Sequence, residues 1–152
     1  MADVIKIGAH ATGDLILVIH STDVAGGTRT WSNSFVELVD AATVSNLGVG
    51  YKKALSASET LTITKSSTER FSAISIVIPA AEWHGTTVPS IALAVTGTST
   101  GPNPDGIGVS WGAEPTNIWI AVHGHDTAAA DASVTGWTTN YTDHQTQGDY
   151  CS

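Results

Sequence analysis

The chain has 152 residues, of which 13% are charged and 41% hydrophobic, and it carries a net charge of -8. That length suits one domain with a core of its own, and the hydrophobic content excludes a disordered chain. The acidic balance argues against nucleic acid or an anionic membrane as partner, because both repel a negative surface.

The charge is unevenly placed. All six Lys and Arg (Lys6, Arg29, Lys52, Lys53, Lys65 and Arg70) fall in the first 70 residues, and seven acids follow Arg70 with no strong base. Such asymmetry serves solubility, or lets an acidic half meet a basic partner surface. Cys151 is the single cysteine, so no internal disulfide forms. The opening MADVIKIGAH lacks the charged region and apolar run of a signal peptide, and no apolar stretch reaches bilayer length. The expectation is a soluble chain made in a reducing cytoplasm.

Short apolar runs recur along the chain, bounded by Gly, Pro, Asn, Asp or Ser. Strands are predicted at Val4–Gly8, Asp14–Ser21, Phe35–Asp40, Asn46–Ala54, Thr60–Lys65, Phe71–Pro79, Pro89–Gly97 and Thr116–Gly124. Leu61 and Ile63 alternate with Thr60, Thr62 and Thr64, giving one buried and one wet face. Val36 and Leu38 oppose Glu37, and Ile74, Ile76 and Ile78 oppose Ser75 and Val77. Leu15–Ile19 is aliphatic throughout, and Ile118–Val122 is apolar on both faces. Strands of that kind sit centrally, with a loop or a neighbouring subunit covering the outer side. Helix signals are weak, with at most one turn at Ala54–Glu59, and Gly97–Gly106 reads as a loop. The predicted fold is all-β: one antiparallel, jelly-roll-like sandwich of about eight to ten short strands spanning residues 1–152.

Two motifs suggest chemistry and fail on context. Gly108-Val-Ser110-Trp-Gly112 matches G-x-S-x-G, and Asp126 and His144 follow in triad order. A nucleophile elbow needs a strand before and a helix after; here a Pro/Gly loop precedes and a strand follows. His123-Gly-His125-Asp126 places two imidazoles on one strand face, but zinc needs further ligands, and His20, His84, His10 or His144 are distant in sequence. Phosphate-cradling glycine motifs are lacking, and the carboxylates form no recognisable catalytic pair. The expectation is a non-enzyme without cofactor or metal. Five tryptophans (Trp31, Trp83, Trp111, Trp119 and Trp137) fill core, anchor an interface, or stack on sugars.

Several segments in order carry a resemblance. They are Gly13-Asp-Leu-Ile-Leu-Val-Ile-His-Ser-Thr-Asp23, Trp31 before a strand, Val49-Gly-Tyr51-Lys-Lys-Ala, Thr60-Leu-Thr-Ile-Thr64, Ser110-Trp-Gly and Asn117-Ile-Trp-Ile-Ala-Val. This order, from Gly13 to Asp126, resembles small β-sandwich virion proteins of tailed bacteriophages. The resemblance implies a jelly-roll-like fold and a capsid decoration or cement role. It implies the major capsid protein as partner, a homotrimer at capsid symmetry axes, and a place on the capsid surface after assembly in the host cytoplasm. The alternative is a tail-associated or receptor-binding module for carbohydrate. Contacts between chains are expected at the first strand, through Val4, Ile5, Lys6 and Ile7, and at the loop with Pro102, Asn103 and Pro104, together with Trp111.

Overall fold

The computed structural model describes residues 2–22, 27–41, 46–66, 68, 70–86, 89, 91 and 120. These form seven strands: β1 (Ala2–Ile5), β2 (Leu15–Thr22), β3 (Arg29–Trp31), β4 (Val36–Ala41), β5 (Asn46–Lys53), β6 (Leu61–Lys65) and β7 (Phe71–Ile78). Every pairing is antiparallel, and the strands make two sheets, ordered β1-β6-β3 and β4-β5-β2-β7. Among the described residues there is no helix. The predicted all-β class holds, and the two sheets stack as a sandwich.

The alternation read from the sequence sets the layers. Leu61 and Ile63 of β6 are fully buried between the sheets, opposite Ile16 and Val18 of β2, and Ile5, Phe35 and Ala54 complete this core. Thr62 and Thr64 face outward. β2 is buried along its whole length because it lies between β5 and β7, and its two faces feed two clusters. Ile16 and Val18 enter the inter-sheet core, while Leu15 and Leu17 pack on the far side with Ile78, Leu38, Tyr51, Ile76 and Trp83.

Several boundaries differ from expectation. β1 starts two residues earlier than predicted and ends at Ile5, so Lys6 to Gly8 run on outside it. β3 was not predicted; three residues, Arg-Thr-Trp, carry no apolar alternation to find. In β4 the simple alternation of Val36, Glu37 and Leu38 gives way to an irregularity between Glu37 and Val39, which re-aims the strand so that Glu37 and Asp40 both point to the inter-sheet side. Asn33 and Ser34 adopt positive φ in the turn before β4, closed by the Phe35 amide donating to Ser32 O at 3.2 Å, and this turn drives Phe35 into the core. The predicted strands at Pro89–Gly97 and Thr116–Gly124 lie outside the described residues except for Pro89, Ile91 and Ile120, none of which is in a strand; Ile120 is 40% exposed.

Candidate functional site: an edge strand anchored by a buried ionic network

The period-2 pattern that buries Leu61 and Ile63 runs on to Lys65, and the pattern that buries Ile16 and Val18 runs on to His20. In β1 the same arithmetic puts Asp3 beside Ile5 on the inner face. Three ionisable side chains therefore enter one end of the sandwich, where a charge is costly unless paired. They are paired with one another. Asp3 Oδ2 accepts from His20 Nε2 and from Lys65 Nζ, each at 3.0 Å. His20 Nδ1 in turn accepts from Arg29 Nε at 3.0 Å, and Arg29 Nη1 donates to Asp40 Oδ1.

The direction of these bonds fixes the imidazole. Arg29 can only donate, so Nδ1 is the bare nitrogen and Nε2 carries the proton given to Asp3. His20 is thus neutral, and burial, reinforced by the nearby Arg29 and Lys65 charges against the opposing pull of Asp3, lowers its pKa from 6.5 to about 4. Burial likewise raises the Asp40 carboxyl, against the pull of Arg29. Phe71 closes the cluster: its ring stacks on His20 at 5.5 Å between centroids, and Lys65 Nζ lies 5.1 Å from its centre. Asp3 Oδ1 is buried here without a hydrogen-bond partner, as are Thr22 Oγ1 and, on the other face of β2, Ser21 Oγ.

Room for the arginine and for Trp31 comes from β5. Gly48 and Gly50 lie two apart, hence on one face, and a Cβ on either would meet Arg29 Cδ at 3.0 Å or Trp31 Cζ3 at 2.8 Å. Trp31 Nε1 donates to Glu37 Oε2 at 2.6 Å.

The opposite end is closed by loop contacts. Asp14 accepts from the Ala11 and Ala80 amides at 2.8 and 2.9 Å. His10 donates from Nδ1 to Gly8 O and accepts at Nε2 from the Glu59 amide. Glu59 also pairs with Lys52 and accepts from the Leu55 and Ser56 amides; the Lys52 bond, then the Leu55 amide, hold its carboxyl below the usual range.

The residues expected to make contacts are distributed as follows. Val4 is 76% exposed, on the outer face of β1, and Lys6 is exposed. Ile5 is 5% exposed and belongs to the core, because it alternates with Val4, and half-buried Ile7 packs against that core. Pro102, Asn103, Pro104 and Trp111 lie outside the described residues, as do Ser110, His123, His125, Asp126 and His144. Among the described residues no three His, Cys, Asp or Glu side chains converge as metal ligands do. Of the tryptophans, Trp31 and Trp83 are half-buried with the indole N–H committed to Glu37 and to Gly13 O.

β1 pairs with β6 on one side and forms an edge of its sheet among the described residues. Its Asp3 is anchored to β2 and β6 at once. The result is an edge with an apolar outward side chain, held rigidly by a buried polar link. Sequence reasoning placed a strand near this position, at Val4–Gly8, and missed the anchor. Comparisons with protein-family models, with curated proteins and with solved structures give no match.

Proposed function

We propose that the chain is a non-enzymatic structural protein that works by association through the β1 edge. In this reading it decorates or cements a bacteriophage capsid, binds the major capsid protein on the outer surface, and bridges neighbouring subunits as a homotrimer. The observation that carries the association is β1, an edge strand among the described residues, which presents the exposed Val4 while Asp3 holds it in place. An ordered edge offers unpaired main-chain groups to an incoming strand without a further ordering cost. The capsid context rests on the order of sequence segments from Gly13 to Asp126 that resembles small phage virion proteins.

The glycan-binding alternative draws no support from Trp31 and Trp83. Both rings are half-buried and tied inward, so neither is a flat exposed platform.

Light scattering of the purified chain, followed by co-sedimentation with undecorated capsids, tests the proposal. A mass of three chains that binds capsids supports it. A monomer that leaves capsids bare overturns it.

A further inference from the structure

Two Lys–carboxylate pairs, Lys52–Glu59 and Lys65–Asp3, are seen among the described residues, and they differ in one respect. Glu59 accepts hydrogen bonds on both oxygens, from Lys52 on Oε2 and from two backbone amides on Oε1, which hold it as a carboxylate. Asp3 accepts only on Oδ2, and its Oδ1 is buried without a partner. Both side chains of the Lys65–Asp3 pair are 1% exposed, and Nζ stands 3.0 Å from Oδ2. Lys65 Nζ lies over the Phe71 ring, 5.1 Å from its centre. Two opposite charges buried there carry a large desolvation cost, and a neutral product would relieve it.

We propose that Lys65 and Asp3 condense into an intramolecular amide bond that joins β6 to β1. Nζ touches the carboxyl group through Oδ2, so the amine and the carboxyl carbon it would attack are already held together and no bimolecular encounter is needed. One proton passes from Nζ to the unpartnered Oδ1, which converts the ion pair into an amine and an acid. The Nζ lone pair then attacks Cγ. Charge builds on Oδ2, where the Nε2–H of neutral His20 already points, so the imidazole serves as a preplaced donor to the oxyanion. The Cγ–Oδ1 bond breaks, and Oδ1 leaves as water with two of the three original Nζ protons. The third remains on the amide nitrogen. One positive and one negative charge become none, and neither oxidant nor co-reactant is consumed.

The bond would lie between adjacent strands already in register, Asp3 opposite Ile63 and diagonal to Lys65. It needs little motion beyond the contact already present. It does not depend on whether the chain decorates a capsid.

The test is a tryptic map of the full chain after incubation at neutral pH. The expected product is peptide 1–6 joined to peptide 54–70, uncleaved at Lys65 and lighter by one water than the two peptides combined. Lys65→Arg keeps the charge and should abolish the joined peptide. Asp3→Asn should form the same link with loss of ammonia in place of water. Separate peptides of full mass overturn the proposal. So does a dehydrated but unjoined peptide 1–6, which would report a local succinimide at Asp3. Because the map is made on the unaltered chain, the proposal is decided even if a variant fails to fold.

Discussion

Trp31 lies directly over Gly50, so that a Cβ at that glycine would come within 2.8 Å of Cζ3 and 2.9 Å of Cε3. The indole is also held at its far edge by Glu37 and cannot swing away freely. Gly50→Ala should therefore destabilise the fold by about 1–3 kcal/mol, the usual cost of overpacking. Urea unfolding followed by Trp fluorescence checks this. Trp31→Leu in the same chain should recover part of the loss, and a double-mutant cycle that is simply additive would show that the two residues do not meet.

Acid should weaken the sandwich in a window set by His20. The folded-state pKa of about 4 lies below the ordinary 6.5, so the unfolded chain binds the extra proton. Stability from this group is full above pH 6.5 and falls as pH drops toward 4, by about 3 kcal/mol in all. Asp40, with its raised pKa, contributes in the opposite sense from its own raised value downward, and Glu59, with its lowered pKa, loses its contribution below 4.5. Unfolding midpoints measured from pH 7.5 to 4 should decline for the natural chain and flatten for His20→Gln, which cannot titrate. An equal decline in both would assign the acid sensitivity to groups other than His20.

Asp14 has both carboxylate oxygens occupied by backbone amides from separate loops. Asp14→Ala leaves the Ala11 and Ala80 N–H groups without that acceptor, at about 1–3 kcal/mol for each group that stays buried. Hydrogen exchange at these two amides should accelerate, while exchange in β6 keeps its rate except through the global loss.

Ile63 is fully buried in the inter-sheet core. Ile63→Ala should cost about 2–5 kcal/mol, the span for truncating a buried aliphatic side chain. Calorimetry on this variant gives the scale against which the polar substitutions are read.

Val4→Lys should leave stability within about 0.5 kcal/mol, because the side chain is mostly in water. It should nevertheless reduce self-association and capsid binding, since charge on an edge strand discourages strand addition. Loss of binding together with a large loss of stability would contradict a surface role for Val4.

Much of the architecture could be read from period-2 patterning. Leu61 with Ile63, Ile74 with Ile78, and the aliphatic run Leu15–Ile19 each marked a face or a central strand, and the structure places them so. The buried network was harder to see, since Asp3, Lys65 and Arg29 are residue types that normally stay in water. Yet the signal was there: Lys65 keeps step with Leu61 and Ile63, and His20 with Ile16 and Val18. The close approach of Arg29 and Trp31 to Gly48 and Gly50 is seen only in the structure, because a glycine pair in a strand does not name the side chains that cover it. β3 left no trace in its own residues, because its position is set by Arg29 and Trp31 filling the space over those glycines.

The polar link at Asp3 also acts as an alignment key for the first strand. Hydrophobic side chains tolerate small misplacement, but hydrogen bonds of 3.0 Å to two different strands do not. A slip of β1 by one residue would swing Asp3 to the outer, threonine-lined face and take it out of reach of His20 and Lys65 together, while bringing Val4 inside. The correctly seated frame is thus distinguished from its neighbours by several lost bonds at once, and the first strand is kept to a single frame by polar side chains rather than by its apolar ones.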